Sequence, residues 1–566
     1  MIDINKAIGR RANFISLDGE WLFDYDDENI GIKEKWYLRH EYPKRINVPY
    51  VYSSVKSGID DKSYHPVLWY SKEIKSSFAN DTYLIFSSVD YYATLYVNGI
   101  FVSNNNGGYL PFEVNITPYL NDKGETNTIV LRVEDYKNDY QLRGKQSWEE
   151  KPTRCWYIPS SGIWQSVYLE ERLDVFIDRI FVTPFIDSQS IEIAILFNKE
   201  FKGKCSALVR DESDIEIERV SFSVDGIEKH IRIMLPFGDS VDELNYWSPD
   251  NPVLFYLTLT LSNGDEKSTS FGLRNIRVED GKVLLNNKPF FSRMILNQGY
   301  FDDSLLTGTV EEYESDLVLV KKMGFNGVRM HQKIESPYFY YLADKIGVVV
   351  WAECPSGYNY SSFERKELLS TIYNYVELYY NHPSIVAWVP LNESWGVRKI
   401  VNDKPTQDFA NSIYYLIKSL DPTRLVSTND GWEQCMSDLS SLHDYAKNGS
   451  VMEEEWKNGF PIALPSRKTY AVGYKYNGEP VFISEFGGIA FSNTESESWG
   501  YEGKEATIES FLLRLKSLVD AIYKIPNISG FCYTQFADTF QEVNGLVYSN
   551  RKEKIPIEEI KRIIKR

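Results

Sequence analysis

The sequence contains few cysteines, and they follow no pattern. The five cysteines among 566 residues are scattered, odd in number and include no CxxC pair. Neither a disulfide framework nor a zinc site is therefore indicated. The first residues also lack the apolar core of a signal peptide, so a reduced, cytoplasmic setting is the simplest expectation.

Long apolar runs and an excess of positive charge are also missing. No stretch approaches the roughly 18 consecutive apolar residues that a membrane-spanning helix needs. The formal net charge of −18 would repel the phosphates of nucleic acid. We therefore expect neither a membrane nor a nucleic acid as a partner. The motifs GxSxG and HExxH do not occur, so serine and zinc hydrolase chemistry have little support.

Aromatic residues are abundant, at 15% of the chain. Their faces stack on sugar rings, but they also fill the cores of β-sandwiches, so composition alone leaves both explanations open. The hydrophobic share of 43% and the charged share of 25% are typical of a globular protein. The length predicts two to four domains.

The first half of the chain has the pattern of two all-β units. In residues 1–175, short alternating runs such as 82–86 and 93–97 are split by turns, and Asn98-Gly99 is a strong hairpin signal. We predict a jelly-roll β-sandwich there. Residues 176–280 are again β-rich and have the length of an immunoglobulin-like sandwich.

From Gly281 to Arg566 strands alternate with helices, which predicts a parallel sheet. The segment has about the usual size of a (β/α)8 TIM barrel. The eight strand candidates are residues 290–297, 326–330, 347–353, 385–391, 425–429, 438–443, 481–485 and 530–535. The helices after the fifth and sixth strands are poorly defined. The predicted fold class is thus multidomain, with two β-sandwiches followed by a barrel.

Two of these apolar strands end in a glutamate. Glu393 closes the run that begins at Ile385, and Glu485 closes the run that begins at Pro480. Active-site residues of such barrels lie at the carboxyl ends of the strands. Two carboxylates there suit glycoside hydrolysis, which needs one group to protonate the leaving oxygen and one to attack or to activate water.

Polar residues stand at the other strand ends as well. In chain order they are Asn297, His331, Glu353, Asn392, Asn429, Asp430, His443 and Gln535. Any one of them is most simply a capping or loop residue, but the whole set is harder to explain that way. We single out Asn392, His331, Glu353, His443 and Asn297 as candidate sugar-binding residues. Trp499 and Glu542 in later loops are further candidates. Trp499 is equally well explained as a loop residue packed on the barrel rim, and the alternative for Glu542 is a support for Glu485.

The motifs of the chain, taken in order, resemble those of glycoside hydrolase family 2, which includes β-galactosidases, β-glucuronidases and β-mannosidases. The most specific matches are Asn392-Glu393, the run Ser484 to Gly487, and the run Gln541 to Leu546. Weaker matches are residues 17–21, 161–165, 271–274 and 324–329. The resemblance covers essentially the whole chain and implies that the first domain is a sugar-binding jelly roll.

The resemblance implies that Glu393 is the acid/base, that Glu485 is the nucleophile and that Asn392 binds the sugar 2-hydroxyl. We expect Trp388 and Trp395, together with the charge of the second carboxylate, to raise the pKa of Glu393. We also expect residues 107–112 and 136–157 of the first domain to lie at the rim of the barrel mouth. A narrow pocket would make the enzyme exo-acting.

The expected function is a retaining exo-β-glycosidase, most simply a β-galactosidase-like enzyme. Alternatives are β-glucuronidase or β-mannosidase activity, or a carbohydrate-binding protein that has lost turnover. The Asn-x-Lys pair of the glucuronidase branch has no clear counterpart here, because the corresponding loop runs Glu542-Val543-Asn544. The metal-binding stretch of the large galactosidases is missing too, so we expect no metal and no cofactor. Assembly into a homo-oligomer stays open.

Overall fold

The computed structural model describes residues 3–75, 78–149, 151–236, 245–461, 463–464, 467–491, 499–501 and 503–565. Within these residues a short helix, Ile4–Ala7, precedes two antiparallel β units and a barrel. The predicted combination of β-sandwich and α/β architecture is confirmed. No helix in the described part of the chain combines the length and the apolar character needed to cross a membrane.

The first β unit consists of two main antiparallel sheets that enclose a core including Trp21, Leu84 and Leu131. The four-stranded sheet has the order Phe14–Ser16, Val167–Arg172, Asp81–Phe86 and Phe112–Asn115. The six-stranded sheet has the order Lys44–Val48, Gly19–Tyr25, Val67–Lys75, Thr126–Glu134, Tyr92–Val97 and Ile100–Asn106. Val89–Asp90 pairs with Gly162–Ile163 beside them. The hairpin predicted at Asn98-Gly99 joins the last two strands of the larger sheet.

The second β unit has its own core, which includes Ile193, Val209 and Leu257. Its five antiparallel strands are Ile177–Phe185, Ser190–Arg210, Glu216–Met234, Phe255–Leu261 and Glu266–Phe271. The long second strand pairs along one side with the third, and along the other side first with Ile177–Phe185 and then with Phe255–Leu261.

A small β ribbon, Ile276–Glu279, Lys282–Leu285 and Lys288–Pro289, connects the second unit to the barrel. Ile276, Val283 and Leu285 share a buried cluster with the barrel residue Met294. Because the expected border after residue 280 falls in the turn of this ribbon, we propose to draw the domain border before Ile276.

The barrel is one sheet of eight parallel strands, as predicted. They are β1 Ser292–Asn297, β2 Gly327–Met330, β3 Val349–Glu353, β4 Ile385–Val389, β5 Leu425–Val426, β6 Ser440–Asp444, β7 Val481–Gly487 and β8 Ile528–Thr534. Beyond β4 and β5, Leu391–Asn392 pairs with Asn429–Asp430. Alternate strand residues enter two different clusters, Met294 and Trp351 in one and Ile295 and Val350 in the other. Both strand faces are therefore buried, which explains the continuous apolar runs.

Seven helices accompany these strands in the described residues. They are α1 Val310–Lys322, α2 Pro337–Ile346, α3 Ser362–Leu378, α4 Lys404–Leu420, α5 Gly449–Trp456, α6 Ile508–Ile522 and α7 Ile557–Ile564. Local signals explain their ends: Thr309 and Glu312 form a capping box at α1, and Gly347 ends α2 in a left-handed conformation. The fully described segment between β5 and β6 contains no helix, which explains why none was evident from the sequence.

The first β unit contacts the carboxyl-terminal mouth of the barrel. Tyr358, in the loop after β3, donates a hydrogen bond from its hydroxyl to the carbonyl oxygen of Gly144, 2.5 Å away. The backbone N–H of Gly144 donates to Ser356 at 3.0 Å. Tyr157 donates from its hydroxyl to Glu542 in the loop after β8. Gly144 and Tyr157, both within the predicted segment 136–157, therefore contact the barrel mouth as expected.

Candidate active site

The centre of the barrel mouth is occupied by Arg329, which lies in β2 and is completely buried. Its Nε donates to Glu353 at 2.8 Å, its Nη1 to Glu485 at 2.8 Å, and its Nη2 to the side-chain oxygen of Asn392 at 2.7 Å. Nη1 also lies 3.0 Å from Asp430. Arg329 thus holds residues from four other strand ends in one cluster.

Glu485 lies on β7 and is almost completely buried, with 3% of its surface exposed. One carboxylate oxygen accepts the hydrogen bond from Arg329 and lies 3.3 Å from Nε2 of His443. The other accepts a hydrogen bond from the hydroxyl of Tyr445 at 2.5 Å. These donors fix the orientation of the carboxylate.

Glu393 follows the Leu391–Asn392 pair and has a left-handed backbone conformation, with φ of 51°. Its N–H donates to the carbonyl oxygen of Asp430 at 2.9 Å, which fixes the turn. One carboxylate oxygen lies 2.7 Å from Nδ1 of His443, and the other accepts a hydrogen bond from Nε1 of Trp395 at 3.3 Å. The Glu393 side chain remains 18% exposed, so it faces the accessible part of the mouth.

His443, on β6, connects the two glutamates. Its Nδ1 faces Glu393, and its Nε2 lies 3.0 Å from Asp430 and 3.3 Å from Glu485. Burial alone would lower the pKa of His443, but the charge of Glu485 and the hydrogen bonds to Asp430 and Glu393 raise it to about 10. The imidazole is therefore protonated at neutral pH and donates from both nitrogens.

The raised pKa that we expected for Glu393 is wrong for this arrangement. Burial does act to raise it, but the hydrogen bond and the positive charge of His443, with a contribution from Lys145, lower the pKa below 4.5. The proton of the pair therefore resides on the imidazole. The sequence could not reveal this, because His443 and Glu393 lie on different strands.

The two glutamates are close together. One oxygen of Glu393, one oxygen of Glu485 and a ring nitrogen of His443 all lie within 4.8 Å of one another. Three such atoms can in principle hold a metal ion. Here, however, both ring nitrogens already face carboxylates, and Nη1 of Arg329 lies 3.3 Å from Nε2. A cation in that position disfavours a metal, and we keep the expectation that none is required.

Two further predicted residues, Glu353 and His331, form a buried pair beside Arg329. Nδ1 of His331 lies 3.2 Å from the Glu353 oxygen that also accepts from Arg329. Burial raises the pKa of Glu353 to about 7, although Arg329 opposes the shift. Burial, together with the charges of Lys145 and Arg329, lowers the pKa of His331, so its imidazole is neutral.

The remaining predicted residues lie at the same mouth but form hydrogen bonds with neighbouring loops. The side-chain oxygen of Asn297 accepts from the N–H of Gly299 at 2.9 Å and so stabilises the turn after β1. Glu542 accepts hydrogen bonds from Tyr157 and, at 3.0 Å, from Asn544. Trp499 donates its backbone N–H to Gln541 at 2.8 Å and is half-buried.

Several buried polar atoms at the strand ends and in the loop after β8 have no hydrogen-bond partner within the described chain. They are Oε1 of Gln298, Oε1 of Glu353, Nε2 of Gln535 and Oδ1 of Asn544. Leaving a buried polar atom unpaired is costly. A ligand with several hydroxyl groups would provide the missing partners.

Sequence reasoning missed Arg329, Tyr445 and Lys145. A charged residue in the otherwise apolar strand β2 was the available signal for Arg329. Tyr445 follows His443 by two positions, which places both side chains on one face of an extended chain. Lys145 lies in the first β unit, and no motif in the neighbouring sequence indicates a site residue.

Lys145 is 6% exposed, and its Nζ lies 6.0 Å from the ring centre of Tyr157. Burial would lower its pKa, but neighbouring Cys155, Glu542 and Glu485 raise it. Lys145 is thus a buried cation on the side of the mouth formed by Glu542. It forms no ion pair with any carboxylate of the described residues.

Comparison with known proteins connects this geometry to a family. The family model "Glycosyl hydrolases family 2, TIM barrel domain" matches residues 276–566, and the model for the family's sugar binding domain matches residues 14–172. Rat β-glucuronidase is 25% identical over 88% of this chain and 82% of its own length. The β-galactosidase of Thermoanaerobacterium thermosulfurigenes is 23% identical over 91% of this chain and 69% of its own.

Solved structures of similar proteins share the complete fold. A β-glucuronidase from an uncultured Clostridium superposes with a TM-score of 0.80 at 19% identity, covering 98% of this chain and 97% of its own. A β-galacturonidase from Eisenbergiella tayi gives a TM-score of 0.75 at 21% identity and covers 98% of both chains. With the barrel model matching more than half of its length, this chain belongs to glycosyl hydrolase family 2 and is a glycosidase that hydrolyses O-glycosyl bonds.

Proposed function

We propose that the protein is a retaining exo-β-glycosidase in which Glu485 is the nucleophile and Glu393 is the acid/base. The observation that carries this proposal is the distance between them, since one oxygen of each lies within 4.8 Å of the other. Retaining glycosidases keep their two carboxyl groups about 5–5.5 Å apart, whereas inverting enzymes need about 6.5–9.5 Å to admit a water molecule.

The environments of the two glutamates support different roles. Glu485 is buried and held by Arg329 and Tyr445, as an ionised nucleophile requires. Glu393 is partly exposed on the side of Trp395 and is linked to a protonated imidazole. The leaving group departs on that side.

His443 supplies the proton for the first step. As Glu485 bonds to the anomeric carbon and the glycosidic bond breaks, Glu485 loses the charge that helps to raise the pKa of His443. The proton on Nδ1 then passes to the facing oxygen of Glu393, and the carboxyl group turns to deliver that same proton to the departing oxygen. In the second step water attacks the same carbon and gives one proton to Glu393, which returns it to Nδ1 of His443, and Glu485 is released as a carboxylate.

The polar atoms around the two glutamates support binding of one terminal sugar. Asn392 accepts from Arg329 through its oxygen, which leaves its amide nitrogen to donate to the sugar 2-hydroxyl. Glu353, Gln298, Gln535 and Asn544 offer atoms without partners. The segment around Gly144 lies across the mouth and favours attack at a chain end.

For the sugar itself we propose a β-galactoside, which is supported by relatives such as the Thermoanaerobacterium thermosulfurigenes β-galactosidase. A β-hexuronide is the second candidate, and Lys145 favours it. A buried ammonium group without an ion pair is stabilised by an anion, and a sugar carboxylate on the side of Glu542 would provide one. The similar structures titled β-glucuronidase and β-galacturonidase add support.

A panel of 4-nitrophenyl β-glycosides tests both the proposed mechanism and the proposed sugar. The panel includes galactoside, glucuronide, galacturonide, glucoside and mannoside, and proton NMR records the anomer that forms first. We expect one sugar to be cleaved well and the β-anomer to form first. Formation of the α-anomer would contradict the assigned roles. No cleavage of any member would favour a carbohydrate-binding protein without turnover.

A further inference from the structure

A cluster of aromatic side chains surrounds Trp395, which donates to Glu393. The ring centre of Trp395 lies 5.5 Å from that of Trp156, 5.3 Å from that of Tyr358 and 6.0 Å from that of Trp432. Trp395, Trp156 and Trp432 are each only partly buried. Because Trp395 donates to the oxygen of Glu393 that does not face His443, the cluster lies beside that oxygen.

A cavity of about 440 Å³ opens beside this cluster. It is lined by Asp139, Trp148, Tyr358, Asn359, Tyr360, Arg398 and Lys399. The ring centre of Trp148 lies 4.4 Å from that of Tyr358, so the aromatic surface continues from Trp395 into the cavity. The volume is sufficient for one sugar or aryl ring.

The charge of this cavity is positive. Arg398 lies with its guanidinium carbon 4.7 Å from the ring centre of Trp395, and Lys399 is its neighbour. Both side chains are exposed, and neither forms an ion pair with another described residue. The lining includes one carboxylate, Asp139, which accepts a hydrogen bond from Asn359 at 3.2 Å. Two cations against one anion favour a negatively charged ligand.

We infer that this cavity is a leaving-group subsite, selective for a ring that stacks on the aromatic cluster and carries a carboxylate facing Arg398 and Lys399. The inference rests on the proposed function, because the position of the leaving group follows from Glu393 acting as the acid. Acidic sugars and aryl carboxylates share the required chemistry.

The test uses two aryl glycosides of the sugar that the nitrophenyl panel identifies. Their leaving groups are 4-hydroxyphenylacetate and its neutral amide, in which the methylene group keeps the phenol acidity similar. The variant is Arg398→Gln/Lys399→Gln. The matched control, Lys199→Gln/Lys202→Gln, removes the same charge from exposed positions on the second β unit. A second pair of substrates, disaccharides ending in a hexuronic acid or in the matching hexose, separates acidic sugars from aryl acids.

We expect the protein to prefer the carboxylate over the amide in kcat/KM, and the Arg398/Lys399 variant to lose about 2- to 30-fold of that preference, the range for two exposed charge contacts. The control variant should keep the preference for the carboxylate. High salt should weaken this preference in the wild-type protein, because salt screens exposed charges. The disaccharide pair shows which source the subsite accepts. Equal rates for the acidic and the neutral substrate in both pairs, or equal losses of the two rates in the variant, would overturn the inferred subsite but not the proposed function. If no glycoside is cleaved, both the proposed function and the inferred subsite are overturned.

Discussion

Replacing His443 by glutamine tests whether the imidazole stores the proton that Glu393 delivers. In the wild-type protein the pKa of His443 is raised to about 10, so roughly 99% of the imidazole is protonated at pH 8. In the His443→Gln variant Glu393 alone must hold the proton. A glutamic acid at its ordinary pKa of 4.5 is protonated in roughly one molecule in 3,000 at pH 8.

Once the imidazole is gone, burial raises the pKa of Glu393, so a larger fraction of Glu393 is protonated at pH 8 than the ordinary pKa would give. We therefore expect kcat/KM for 4-nitrophenyl glycosides to fall about 10²–10³-fold at pH 8 relative to its value at the optimum of the variant. The basic limb of the pH profile moves to lower pH by several units. Below that limb, the loss of activity is much smaller.

Two controls isolate the proton from other effects. His331→Gln removes an imidazole that contacts Glu353 but neither candidate catalytic glutamate, and it should leave the basic limb in place. A 2,4-dinitrophenyl glycoside needs little protonation, so its basic limb should stay at high pH in the His443 variant. Circular dichroism and thermal unfolding check the fold. An unchanged basic limb with the 4-nitrophenyl substrate in a folded variant would refute the proton transfer from His443.

Two further substitutions test the other assignments. Glu393→Ala should slow glycosides with poor leaving groups by about 10²–10⁴-fold while affecting 2,4-dinitrophenyl glycosides far less; equal losses in steady-state assays would remove Glu393 from the acid role. Lys145→Met should reduce kcat/KM for a β-hexuronide by about 30- to 1,000-fold, as expected when one partner of a buried charge pair is removed, with a change of only a few-fold for a neutral hexoside. The same loss on both sugars would rule out a carboxylate contact for Lys145.

The barrel and the position of its mouth were predictable because their signals are local. Strands such as β4 and β7 are apolar runs, with Glu393 four residues beyond β4 and Glu485 within β7, and such a run by itself indicates a buried strand. Helix ends at Thr309 and Gly347 follow from capping rules that need only neighbouring residues. The segment between β5 and β6 carries no such signals, and it forms no helix.

The interior of the site was less predictable because it depends on contacts between distant strands. Arg329 reaches Glu353, Asn392 and Glu485, none of which is near it in sequence. The direction of the pKa shift of Glu393 depends on His443 lying 2.7 Å away, which no sequence pattern encodes. Lys145 enters the site only because the first β unit lies against the barrel mouth.

The central claim is that Glu485 forms the covalent bond to the sugar, and covalent trapping tests it directly. A 2-deoxy-2-fluoro glycoside with a dinitrophenyl or fluoride leaving group slows the second step, so the adduct accumulates. Mass spectrometry of the digested protein should then show one added sugar on the peptide that contains Glu485, and the Glu485→Ala variant should remain unlabelled. A label on any other residue, or labelling of the Glu485→Ala variant, would contradict the claim.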